Sequence, residues 1–288
     1  MVNSGYYPTD DGHQLFWQRY GTPGGEPIFF LHGGPGGYCN PLHLELFDER
    51  MFDIILFDQR GCGRSMPPGE LRMNDTAHCV EDIDGLRRHL GFEKISLLGV
   101  SWGSWLAAQY QRRYPEAVLK TTMISILVPF AENFSASDRA LREGLSAVPQ
   151  GTCAPTAEAL YQILNNGCDM QQKQAALHWL KATLHLSGQS MPDDALEKLA
   201  DEEVVRTMRL KLHYHVNRYF FTRADETLSL NDNTEVIQSI GDGLGMASVR
   251  WLRQRHPLRC RLLRAGNNAL EPGTLKAVRQ SLKRKIVP

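Results

Sequence analysis

The stretch Ile95-Ser96-Leu97-Leu98-Gly99-Val100-Ser101-Trp102-Gly103 runs from an apolar segment of strand length, through a glycine-flanked serine, into a helical pattern that extends to Arg113. A serine on a tight strand-to-helix turn has a strained backbone, and its hydroxyl must stand clear of the sheet, so its neighbours must lack bulk. Gly99 and Gly103 meet that need. The five-residue pattern alone is common by chance. The strand before it and the amphipathic helix after it are what make Ser101 a candidate nucleophile.

Upstream, the apolar run Ile28-Phe29-Phe30-Leu31 leads into His32-Gly33-Gly34-Pro35-Gly36-Gly37. Glycines let a chain approach a bound group without Cβ obstruction, and a developing oxyanion needs backbone N–H donors. Gly34 is the candidate for one donor. Trp102, at the positive end of the helix that follows the serine, is the candidate for the second. Taken alone, the loop reads as a glycine-rich turn between strands; paired with Ser101 it acquires a chemical reading. His32 and Gly33 border the substrate in that reading, with His32 ordering the loop by hydrogen bonding rather than taking the serine proton.

Outward from these two motifs, short apolar strands alternate with helical stretches up to Ile126. Strands are expected at 15–20, 28–31, 54–57, 95–98 and 121–126, and long helices at 75–90 and 102–113. Alternation of this kind predicts an α/β class, with a mainly parallel sheet and helices on both faces. From Leu127 to Phe221 the pattern turns to helix after helix, which reads as a cap inserted over the carboxyl edge of the sheet, where ligands bind in open α/β folds. Strand patterns return at 236–240 and 259–263, with a terminal helix from Thr274. The expected division is therefore core at 1–126, helical cap at 127–221 and core again at 222–288.

The 288 residues carry 32 Lys and Arg against 32 Asp and Glu, so no basic or acidic excess points to nucleic acid or to an anionic membrane. No apolar run reaches membrane-spanning length and the first residues lack a signal-peptide pattern, so a cytoplasmic location is expected. The cysteines at 39, 62, 79, 153, 168 and 260 are scattered without C-x-x-C spacing, which favours reduced thiols over a disulfide framework or a metal site. No metal or organic cofactor is expected. The oligomeric state is not legible from the chain.

Further motifs accompany the two loops: Phe57-Asp58-Gln59-Arg60-Gly61-Cys62-Gly63-Arg64-Ser65, Asn74-Asp75-Thr76, Asp82-Ile83-Asp84 and Val100-Ser101-Trp102-Gly103-Ser104. With the HGGPGG loop, and in this order, they resemble the proline iminopeptidase branch of the α/β-hydrolase fold over nearly the whole first half. The likeness continues more weakly through Trp179-Leu180-Lys181-Ala182-Thr183, His213-Tyr214-His215-Val216-Asn217 and Ala265-Gly266-Asn267-Asn268-Ala269-Leu270-Glu271-Pro272. It implies the α/β-hydrolase fold and a serine acyl-enzyme mechanism. It does not imply the substrate, because one fold hosts many functions.

Departures from the family pattern are informative. The resemblance places cap glutamates, which grip a substrate ammonium, at the positions of Leu180 and Lys211. A leucine cannot pair with an ammonium and a lysine repels it, so aminopeptidase activity is disfavoured. In chain order the acid and base follow the serine. The resemblance puts the acid at Asp242, between Gly241 and Gly243, and the histidine at Asn267, whose amide does not titrate near neutral pH. His256 precedes the last strand and falls at the opposite sheet edge. His213 and His215 lie on the cap and are candidates for substrate contact. The remaining histidines, including His13, His89, His178 and His185, read as surface or structural.

The reading that follows is a serine esterase acting on a small-molecule ester or lactone. Among known proteins the sequence is also similar to macrolide esterases carried on antibiotic-resistance cassettes, which open a macrolactone ring. The alternatives are a catalytically impaired hydrolase-fold protein that binds a small molecule, favoured by Asn267, and a residual aminopeptidase.

Overall fold

The computed structural model describes residues 1–148, 155–186, 189–264, 266 and 268–284. Strands β1 (Asn3–Pro8), β2 (Gln14–Gly21), β3 (Glu26–Leu31), β4 (Phe52–Phe57), β5 (Ile95–Val100), β6 (Val118–Ile124), β7 (Thr234–Ser239) and β8 (Arg259–Leu263) form one sheet in the order β1-β2-β4-β3-β5-β6-β7-β8. The β1–β2 and β2–β4 pairings are antiparallel, and all others are parallel. Side chains alternate across a strand, so Phe29, Leu31, Ile55, Phe57 and Leu97 enter the core on one face. Ile28, Phe30, Ile54, Leu56 and Leu98 enter the core on the other. β4 is buried at every position, as a central strand covered on both faces must be.

The first face is covered by α1 (Thr76–His89) and α2 (Trp102–Arg113). Between β6 and β7 come α3 (Ala131–Ala147), α4 (Ala157–Asn166), α5 (Asp169–Leu186), α6 (Asp193–Leu199) and α7 (Glu202–Val216). Four of these share a separate apolar core that includes Leu145, Leu160, Trp179 and Leu212. After β7, α8 (Gly243–Arg253) returns to the sheet, and α9 (Pro272–Leu282) places Ala277, Val278 and Leu282 on its second face. Among the described residues no helix is long and apolar enough to cross a membrane, and Cys39, Cys62, Cys79, Cys168 and Cys260 are free thiols. Cys153 lies outside the described residues.

The α/β class and the mainly parallel sheet match expectation. The strand predicted at 121–126 instead starts at Val118 and ends at Ile124, because Lys120 and the threonines interrupt the apolar pattern there. β1 has no counterpart among the expected strands. It is an edge strand with mostly exposed residues, so it carries no burial periodicity to read.

Topology decides where a site can form. From β3 the chain steps to β4 on one side and later to β5 on the other, so the loops leaving β3 and β5 diverge and open a crevice at their carboxyl ends. Those loops are the HGGPGG segment and the Ser101 turn.

Candidate active site

Ser101 sits at φ 52° and ψ −118°, a left-handed backbone that a non-glycine residue holds at a cost of about 1–3 kcal/mol. The surroundings enforce it. Its N–H donates to Ile124 O at 2.8 Å, and the Ser104 hydroxyl donates to Gly99 O at 2.8 Å and lies 3.0 Å from Ile124 O, tying strand end and first helical turn to β6. A Cβ on Gly99 would lie 2.4 Å from Gly103 O, and one on Gly103 would lie 1.9 Å from Leu31 O. Both flanking glycines are therefore required by the backbone itself. The Ser101 hydroxyl has no hydrogen-bond partner among the described residues.

The loop after β3 lies directly against this turn. A Cβ on Gly33 would be 3.2 Å from Val100 O and 3.4 Å from Ser101 Cβ. Gly34 has φ 141°, and a Cβ there would meet the nitrogens of Gly36 and Gly37 at 2.7 Å. Among the described residues the N–H groups of Gly34 and Trp102 find no acceptor. These are the two backbone donors that the sequence makes candidates for holding an oxyanion.

His32 is 2% exposed and both its ring nitrogens are engaged: Nε2 accepts from the Gln59 N–H at 3.1 Å, and Nδ1 donates to Gly33 O at 2.9 Å. Gln59 Nε2 donates back to His32 O at 3.0 Å. Burial pushes the imidazole pKa down, with Asp58 opposing that push. This is a neutral ring that orders the loop, and its geometry fits the expected role of loop organiser.

The histidines of α7 also make intramolecular contacts. His213 Nε2 is 2.8 Å from Asn74 O and its Nδ1 is 3.1 Å from Tyr161 Oη. His215 Nε2 is 3.1 Å from Asp138 Oδ1. The first contact ties α7 to the segment before α1, and the second ties α7 to α3. His256 is held at Leu228 O. Leu180 on α5 and Lys211 on α7 are each partly buried; burial pushes the Lys211 pKa down.

Asp242 caps α8, its Oδ1 accepting from the Gly245 N–H at 3.0 Å while Oδ2 accepts from Gln238 Nε2 at 2.9 Å. It lines a cavity of about 940 Å³ together with Phe130, Asn133 and Trp251, and Ser101 is not among the lining residues. Asn267 lies outside the described residues. No group of His, Cys, Asp or Glu able to hold a metal occurs among the described residues.

Three residues of the site's support were quoted in motifs but not assigned a role from sequence. Gln59 clamps His32. Asn74 donates to Arg60 O and Glu70 O and accepts from Tyr214 Oη at 2.8 Å. The Tyr214 ring lies edge-on to Trp102 with centroids 5.0 Å apart. A polar residue next to a helix N-cap, as Asn74 is next to Asp75, was the available signal.

A family profile described as the alpha/beta hydrolase fold matches residues 26–162. A probable proline iminopeptidase of Leptolyngbya boryana is 31% identical over 294 residues, covering 96% of this chain and 91% of that one. The chain belongs to the α/β hydrolases, in their proline iminopeptidase-like branch. A proline iminopeptidase of Xanthomonas citri is 32% identical over 234 residues, covering 78% of this chain and 75% of its own. Among solved structures, an alpha/beta hydrolase from a Medee basin deep-sea metagenome library superposes with a TM-score of 0.70 over 99% of both chains at 14% identity, a likeness of fold alone. For an α/β hydrolase, a serine after β5 facing a glycine loop after β3 is the expected location of the reaction centre.

Proposed function

We propose that this α/β hydrolase is a serine esterase that cleaves a carboxylic ester or lactone through an acyl-Ser101 intermediate. The observation that carries the reading is the strained Ser101 backbone, on a turn against the loop whose Gly34 N–H, like that of Trp102, has no acceptor among the described residues. Ser101 Oγ adds to the ester carbonyl and its proton passes to the leaving alkoxide. The two N–H groups hold the oxyanion, and water then adds to the acyl-enzyme to release the acid and restore the serine. With asparagine at 267, no titratable base accompanies the serine in this reading. An oxyanion hole and binding alone still leave roughly 10³–10⁴-fold catalysis over water when triad members are missing, so slow turnover of activated esters is expected.

An aminopeptidase is the second reading, favoured by the names of the relatives. Leu180 and Lys211 oppose it, because neither offers a carboxylate to a substrate ammonium. The p-nitrophenyl esters of proline and of cyclopentanecarboxylic acid form a matched pair that separates the two. Without the two charge-assisted contacts, worth about 1.5–3 kcal/mol each, the prolyl ester has no advantage, and repulsion by Lys211 predicts that its kcat/KM does not exceed that of the neutral ester. Preference for the prolyl ester would establish the aminopeptidase instead. A macrolactone in the same panel tests the lactone branch, with ring opening followed by mass.

A further inference from the structure

Helix α7 meets its surroundings along two stripes. On one, Thr207 O and Leu210 Cβ approach Gly36 of the oxyanion loop, and Tyr214 packs on Trp102. On the other, Met208 and Leu212 join the cap core and His215 reaches Asp138 of α3. At 3.6 residues per turn, Lys211 stands about 40° round the helix from both Thr207 and His215. Its side chain therefore leaves α7 at the seam where the cap meets the oxyanion loop.

Among the described residues nothing answers its charge. Lys211 has no hydrogen-bond or ion-pair partner among the described residues. Several ionic groups on α7 and α3 are committed elsewhere: Asp138 to His215 and Arg142, Glu202 to Arg206, and Arg209 to Gly69 O; Glu203 is exposed in the first turn of α7, eight residues before Lys211. Burial lowers the lysine pKa without an opposing carboxylate, which agrees with that isolation. A partly buried ammonium without a partner costs stability, and a methionine or leucine would serve α7 better if packing were the only demand.

We propose that Lys211 receives an anionic group of the substrate, so that the esters this site accepts carry a carboxylate on the acyl side, as half-esters of dicarboxylic acids do. The proposal rests on Ser101 as the nucleophile only for its turnover arm. It deepens the esterase reading by naming the substrate class and makes Lys211 a specificity residue.

The test uses full-length protein with Ser101→Ala, which binds without turnover. Monophenyl glutarate and its primary-amide analogue, equal in shape but not in charge, are titrated by NMR. The anion is expected to bind about 10–100-fold more tightly, the range of a charge-assisted contact. Lys211→Met in the same background should abolish that preference, and Lys211→Arg should retain it; if Lys211→Met fails to fold, Lys211→Gln takes its place. Equal binding of the two compounds, or a preference that survives loss of the lysine, overturns the proposal. The native protein is then assayed on the p-nitrophenyl esters of the same two acids. A binding preference without hydrolysis of either ester refutes the nucleophile and leaves Lys211 as a carboxylate receptor. Hydrolysis with equal KM for both refutes the receptor and leaves the nucleophile.

Discussion

Two stretches of the same sheet edge differ sharply. At the ends of β3 and β5, strain, glycine spacing and free N–H groups converge on Ser101, and no described side chain blunts its hydroxyl. At the end of β7, Asp242 has both oxygens engaged in capping α8 and holding Gln238, and the sequence after β8 offers Asn267. One region is organised around a bond to be made, the other around the fold. Nucleophile and oxyanion stabilisation are separable from proton transfer, and on the proposed reading this chain keeps the first pair while Asp242 is engaged in capping α8.

The largest expected effect breaks the comparison from the strong side. Ser101→Ala should abolish turnover of p-nitrophenyl butyrate while the melting temperature stays within a few degrees of native, because the hydroxyl makes no contact that the fold uses. Restoring the weak side should sharpen the contrast. Asn267→His is expected to raise ester kcat/KM by about 10²–10⁴, the usual contribution of a general base. The anchor for that expectation is Gly266, whose N–H donates to Glu271 Oε2 at 2.7 Å. Unchanged turnover would mean that the register after β8 is wrong.

Asp242 supplies a smaller, double-edged test. Asp242→Ala should cost about 0.5–2 kcal/mol of stability, the loss of a helix N-cap, in urea melts. It should leave native ester turnover nearly level yet cancel most of the gain from Asn267→His. A native rate that collapses with Asp242→Ala at unchanged fold would show that the acid already works.

The smallest effect concerns the loop scaffold. Burial holds His43 at about 4 and pushes His32 down in the same direction, whereas unfolded imidazoles titrate near 6.5. Between these values the unfolded chain binds more protons than the folded one. Stability is therefore fully present above about pH 6.5 and declines as pH falls toward 4. Urea midpoints across that window check the direction, and His43→Gln should flatten part of the slope.

Much of this was legible because it is local. Gly99 and Gly103 announce a turn that no larger residue could enter, and the alternation through Phe29, Leu31 and Ile28, Phe30 announces a sheet covered on both faces. What stayed hidden depends on partners distant in sequence. The rings of His213 and His215 meet Asn74 and Asp138, and that of His32 meets Gln59, contacts that no local pattern announces. Exposed β1 carried no pattern, and the isolation of Lys211 depends on Asp138 and Glu202 pairing with other residues.

The most direct measurement of the central claim is covalent labelling with a fluorophosphonate probe, the site located by peptide mass spectrometry. The account predicts stoichiometric modification at Ser101, faster in Asn267→His and absent in folded Ser101→Ala. A native protein that is folded yet unlabelled at Ser101, or labelled equally after the serine is removed, would contradict it.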